Sequence, residues 1–552
     1  MKPRTGVTTH PELLSKGRRY FKILTIIRAS LIFFTDSDGM KESEIPILVG
    51  AAQFRQDKDV AKPLDPLGLM VEASRRALSD SGAPRLEELI DRVYVVNLFQ
   101  WPYRDVPGML SERLGIAPRE KFYTAVGGNT PQVLVNTAAR SLASGECRAV
   151  LMTGAEAFYA LRRALKGEIV LDWPESEPPE RIEGDNRPGV SEIESRYDLF
   201  LPSYMYPLVE TALRAATGAD PEEHRRHMGI LWERFARVAA HNPYAWIRDG
   251  ATAEEIATPS VDNRYIGYPY TKRMNANINV DQSAALVMTT VGMARKQGID
   301  SSRWVYPLAG IALDDIWFAT QRPRLDRSPA IRDAARYCLE QAGLTADEID
   351  VFDLYSCFPC VVEIARREIG ISDNDPRPLT VTGGLSFFGG PGNNYSMHAI
   401  ASVVERIRAH RGLKAMITAN GYYLTKHAVG IYGGETPIGP WYDQDDAGMQ
   451  EAIDAEALPG PVEKAFGSLT VEAYVIRHDR GGRPERGTVM GRLKNGRRAL
   501  AHIDAPAADL EKMEKIELVG QTGTVRFDRD FGYNLVTFGR PEEFRGTSIV
   551  VF

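Results

Sequence analysis

Two of the four cysteines stand in one short stretch, Tyr355-Ser356-Cys357-Phe358-Pro359-Cys360, beside a tyrosine. A C-x-x-C pair can run thiol–disulfide exchange or supply half of a metal site. The apolar surroundings, "FPCVVEIA", favour inert thiols facing inward along a helix, and without His or Cys partners nearby the zinc reading is weak. Tyr355 offers an O–H that could donate to an oxyanion or, if activated, act as a base. Thr130, followed by Pro131, carries a hydroxyl, but the pair reads first as a helix N-cap and first helical position. His398 reads as a core or inter-helix histidine with catalysis as the alternative, and Asn393, Asn394 and Asn420 as loop-holding amides. His224 and His227, at i and i+3 in "PEEHRRHMG", could face a metal, yet no carboxylate partner is identified and a solvated helix face is the simpler reading.

Placing such groups takes a large scaffold. At 552 residues the chain is too long for one core, and two or three domains are expected. With 25% charged and 43% hydrophobic residues it has an ordinary globular composition. A net charge of −6 provides no basic field, so nucleic acid is not expected as a main partner. Four cysteines are too few for a disulfide scaffold and fit a reducing, cytoplasmic setting. Residues 1–41 read as an extension outside the fold, with Met40 as an alternative start. Their "RRYFKILTIIRASLIFFT" is broken by Arg28 and too short to span a bilayer; a membrane-touching tail is the other reading.

The chain repeats itself. "EASRRALSDSGAPRLEELIDRVYVV" from Glu72 is matched by "RDAARYCLEQAGLTADEIDVFDLY" from Arg332, helices closed by Gly82 and Gly343. "GGNTPQVLVNTAARSLASGECRAVLMTGAE" from Gly127 is matched, at nearly the same spacing, by "GGPGNNYSMHAIASVVERIRAHRGLKAMITANG" from Gly389. A duplicated α/β unit follows, with mostly parallel sheets and helices on both faces. The expected organisation is a first half at 42–164 and 279–300, an inserted loop domain at 165–278, a second half at 301–440 and a β-barrel domain at 445–552. Long insertions in such proteins usually shape a binding site. The short strands and Gly-rich turns after 445 suggest a small closed barrel of OB-like type.

"RVAAHNPYA", "DQSAALVMTTVGMARKQGI", "DLYSCF", "GGLSFFGGPG" and "TANGYY", in this order and spacing, resemble the thiolase superfamily. The likeness is greatest to the sterol-carrier-protein-type thiolase branch and, within it, to thiolase-like protein type 1, which carries an additional C-terminal domain. It covers about Glu42 to Gly434. The resemblance implies a duplicated thiolase fold of α-β-α-β-α layers with an inserted loop domain and an OB-like barrel. It also implies an acyl-CoA thioester as partner, with coenzyme A as part of substrate or ligand, no tightly bound cofactor and no metal. Members are often dimers, though an added barrel could leave a monomer.

Thiolases use an acyl-accepting cysteine, a proton-moving cysteine in a C-x-G loop, and histidines in G-H-P and H-D-C-F loops. Laid on this chain, the nucleophile loop reads "VGGNTPQ", with Thr130 the nearest match and Gly128 or Asn129 if the alignment slips. The H-D-C-F histidine becomes Tyr355, the G-H-P histidine becomes Gly390, and C-x-G becomes Ala419-Asn420-Gly421. All four reactive side chains are missing. What remains as candidate catalytic machinery is Tyr355, Thr130, Gly390, Asn420, Gly421 and His398, with backbone N–H groups near Gly127–Thr130 and Gly421 as oxyanion donors. Thr382, Gly383, Gly384, Ser386 and Phe388 are assigned to coenzyme A by the same resemblance. The expected function is acyl-CoA binding without ordinary thiolase activity. The alternatives are a tyrosine-dependent retro-aldol lyase on a β-hydroxyacyl-CoA, using Tyr355 with Tyr422 or Tyr423, and a non-catalytic scaffold.

Overall fold

The computed structural model describes residues 40–441 and 446–539. The expected extension at 1–41, apart from its last two residues, lies outside them, as do residues 540–552. In chain order come β1 (Pro46–Arg55), α1 (Pro66–Asp80), β2 (Ile90–Val95), β3 (Glu120–Tyr123), α2 (Thr130–Ala143) and β4 (Ala149–Ala157). The insertion contributes α3 (Pro202–Thr217), α4 (Pro221–His241), β5 (Tyr265–Tyr268) and β6 (Tyr270–Thr271). Then follow β7 (Asp281–Thr290), β8 (Tyr306–Asp314), α5 (Pro329–Ala342), β9 (Val351–Asp353), α6 (Pro359–Ile369), α7 (Tyr395–Ala409), β10 (Lys414–Gly421) and β11 (Lys426–Gly433). The last region holds β12 (Gly467–His478), β13 (Pro484–Leu493), β14 (Arg498–Ile503), β15 (Thr522–Asp528) and β16 (Tyr533–Thr537).

The duplication is visible in the sheets. The first runs β1-β7-β4-β2-β3 and the second β8-β11-β10-β9, so the second repeats the first without its last strand. Both are mixed rather than mostly parallel, because β7 and β11 run antiparallel to both neighbours. β11 follows β10 through a tight turn, which allows only an antiparallel pair. Helices α2 and α7 pack against both sheets, α1 against the first only and α5 against the second only, which gives five layers. The central position explains the composition of α7: Met397, Ile400, Val403, Val404 and Ile407 are all fully buried. Each contributes roughly 1.5–3 kcal/mol of burial. The equivalent outer helices both end at a left-handed or tight glycine turn, Gly343 having φ 64°.

Strands β12 to β16 close into a five-stranded barrel, since β12 pairs with β13 and with β15. Its order, with β14 parallel to β16 and a helix at Ala507–Met513 before β15, is that of an OB barrel. The insertion is joined to it: β5 pairs with β12, and Thr211 on α3 hydrogen-bonds both the carbonyl and the amide of Tyr474. Arg498 is buried and bridges Glu472 to the carbonyls of Thr320, Arg322 and Pro323. No helix among the described residues is long and apolar enough to cross a membrane.

Candidate functional site

Three loop ends meet at the start of α2. A Cβ placed on Gly128 would collide with the Tyr355 hydroxyl and the Asn420 carbonyl oxygen, so a side chain at 128 has no room. Gly421 lies against the Asn129 side chain and the Gly127 Cα. Asn393 Oδ1 accepts from the Gly127 amide at 2.9 Å, and Ser396 donates to the Gly128 carbonyl at 3.0 Å. Tyr355, Asn420, Gly421 and the Gly127–Thr130 loop are thus brought together. The N-cap is Asn129, without a side-chain cap bond, and Thr130 is already helical; the expected Thr130 cap is displaced by one residue because Pro131 stands second in the helix.

Gly390 and His398 stand apart. The Gly390 amide is taken by the Asn277 carbonyl at 2.8 Å. His398 is fully buried, with Nδ1 donating to Gln53 Oε1 at 3.0 Å and its ring edge-on to Phe388. Burial pushes its pKa down to about 3, so it is neutral. The rings of Phe388 and Tyr395 stand between it and Tyr355.

Thr382, Gly383, Gly384, Ser386 and Phe388 are buried under α4 of the insertion. A Cβ on Gly383 would strike the Ala239 backbone, and one on Gly384 would strike Phe235. Trp232 Nε1 donates to Ser386 at 3.0 Å, and Thr382 is held by Tyr395 and Asp353. Asp353, at the end of β9, also accepts from the Val381 amide, so it anchors the whole loop.

The junction is electrically quiet. Burial raises the Tyr355 hydroxyl far above its ordinary pKa, so it stays protonated and can donate a hydrogen bond. Tyr422 and Tyr423 do not join it, because their hydroxyls donate to the Arg187 and Phe200 carbonyls. All four cysteines are free and buried. Burial lifts Cys147 to about 11 and Cys357 to about 12, and Cys338 and Cys360 rise further, so each is a thiol. Cys357 Sγ lies 3.8 Å from Asn420 Nδ2, and Asn420 also donates to Tyr206 of α3. Tyr206 in turn stacks on Phe358 at 4.5 Å, sealing the junction from the insertion side.

An open cleft of about 850 Å³ runs along the outer face of α2 and reaches Asn129, Thr130, Arg140, Asp314 and Lys426. Lys426, which the sequence reading passed over, is nearly buried at the turn into β11. It donates to the Val126 and Asp185 carbonyls at 3.0 and 2.8 Å. Burial lowers its pKa, and Asp314 beside the cleft is pushed by burial to about 6. Glu156 was passed over too: it is fully buried against Gly392, accepts from the Phe99 amide, and burial raises it to about 8. A lysine and a glutamate inside otherwise apolar strands, "TKHAVGIY" and "VLMTGAEA", were the available signals.

The crystal structure of a monomeric SCP2-thiolase like protein type 1 from Mycobacterium smegmatis matches with TM-score 0.78 and 32% identity, covering 91% of this chain and 100% of that one. The chain belongs to this family of thiolase-like proteins type 1. A profile of the thiolase-like protein type 1 additional C-terminal domain matches residues 448–530, the barrel of this thiolase-like protein. Human sterol carrier protein 2 is 23% identical over 184 residues, 31% of this chain; the match spans 32% of that protein's length. A structure titled Ltp2-ChsH2(DUF35) aldolase shares the fold, with TM-score 0.54 and 17% identity over 71% of this thiolase-like chain and 98% of the other.

Proposed function

We propose that this thiolase-like protein binds an acyl-CoA thioester and does not carry out cysteine-dependent thiolysis or condensation. The observation that carries the reading is the loop before α2, where the Tyr355 hydroxyl is packed on Gly128 and Thr130, the nearest match to the nucleophile, is the first helical residue and bears a hydroxyl rather than a thiol. The four buried, protonated thiols support it. The cleft supports binding: the amino end of α2 and the Lys426 ammonium offer partial and full positive charge to a thioester oxygen or a phosphate.

Calorimetric titration with acetyl-CoA and longer acyl-CoAs is expected to give saturable binding, weakened roughly tenfold, or about 1.4 kcal/mol, in Lys426→Met. Acetoacetyl-CoA with free CoA is expected to remain uncleaved. An acyl adduct on any cysteine, detected by intact-mass spectrometry during turnover, would overturn the reading.

One observation favours a second reading. Tyr355 presents a protonated hydroxyl beside the Asn420 carbonyl, a donor suited to an enolate oxygen, and a fold relative is titled an aldolase. Release of an aldehyde or ketone from a β-hydroxyacyl-CoA panel, lost in Tyr355→Phe, would select retro-aldol lysis; binding without release in both proteins would reject it.

A further inference from the structure

Two consecutive helices of the insertion and one helix distant in sequence bring charged side chains to one interior point. Glu210 comes from α3, His224 and His227 from α4, and Glu363 from α6. One donor atom each from Glu210, His224 and Glu363 lies within 4.8 Å of the others, and all three residues are buried. The expectation that His224 lies on a solvated face is corrected: its Nε2 is 2.6 Å from Glu210 Oε1, and its carboxylate partners come from α3 and α6.

We propose that Glu210, His224 and Glu363, with His227 at the mouth, bind one divalent first-row metal ion, Zn²⁺ by preference. Two carboxylates enclosed together repel each other, and a cation or a proton between them relieves the repulsion. One proton on His224 satisfies Glu210, yet Glu363 Oε1, on a side chain 95% buried, has no hydrogen-bond partner among the described residues while facing the same space. Arg366, one turn along α6, is drawn instead to Asp373 at 2.5 Å. The Tyr270 hydroxyl donates to Glu210 Oε2 at 2.5 Å, the kind of outer contact that fixes a ligating carboxylate. His227 supplies both a fourth donor and a way in: its Nε2 is 3.7 Å from Glu363 Oε1, its ring stacks over His224, and 41% of its side chain is exposed.

Two imidazoles and two carboxylates make an N₂O₂ set suited to four-coordinate zinc. A bound ion would tie α3 and α4 of the insertion to α6, the helix that starts directly after Tyr355–Phe358.

The test uses the full chain, stripped with dipicolinate and titrated with Co²⁺ as a spectroscopic probe, then with competing Zn²⁺. One equivalent of Co²⁺ with the intense visible bands of a four-coordinate ion is expected, displaced by Zn²⁺. Glu363→Gln is expected to weaken binding at least about 100-fold, and His227→Gln about tenfold. His227 is exposed enough for its replacement to fold, and circular dichroism checks both variants. No saturable one-equivalent uptake, or wild-type affinity in both folded variants, overturns the proposal.

Discussion

The junction at the start of α2 and the cluster between α3, α4 and α6 are both buried, yet they are built on opposite principles. At the junction the groups packed on Gly128 are uncharged, the Tyr355 phenol and the Asn420 backbone carbonyl. The helical cluster encloses two carboxylates and an imidazole. Around Gly128 this chain has tight packing and hydrogen-bonded amides. Its concentrated charge lies instead where the insertion meets the second half. The difference shows that one interior can be held by close packing of uncharged groups in one place and by paired charges in another.

Breaking each region should therefore show a different signature. The largest effect is expected for Glu210→Ala, which leaves His224 and Tyr270 without their partner; loss of one member of a buried pair costs about 3–5 kcal/mol, readable by urea unfolding. At the junction the expected failure is steric: Gly128→Ala should cost about 1–3 kcal/mol. Adding Tyr355→Ala should recover part of that loss, and a fully additive double mutant would mean the two do not touch.

Glu156 sharpens the comparison, being a carboxyl near the junction kept neutral. Its folded pKa of about 8 is raised above the unfolded carboxyl value, so the native state retains a proton that the unfolded chain has released. Its contribution is complete in acid and is lost as pH rises towards 8. Unfolding midpoints at pH 5 and pH 8 should draw together in Glu156→Gln. The smallest effect is expected from Thr211→Val, about 1 kcal/mol for the bonds to Tyr474, with the junction undisturbed.

The repeated halves were legible because Gly82 and Gly343 follow the two outer helices while Gly127 and Gly389 precede the two central ones, and local periodicity records local structure. The barrel was legible for the same reason, its strands being short and punctuated by turns. Sheet direction was not: β7 returns to the first sheet only after the insertion, and alternating elements say nothing of which way such a strand runs. At the site, Tyr355, Asn420 and Gly421 meet as their loop positions suggested, while His398 does not, because one helical turn rotates it behind Phe388. The Glu210–His224–Glu363 grouping was invisible since its members belong to three helices, and only tertiary packing brings them together.

The reach of Arg498 from the barrel to the carbonyls of Thr320, Arg322 and Pro323, together with β5 lying beside β12, bears on how this protein can be cut and recombined. A truncation after residue 445 would leave those carbonyls without a donor and uncover the α3 face that Tyr474 occupies. Exchanging the barrel therefore means moving with it both the insertion and the 320–323 segment of the second half.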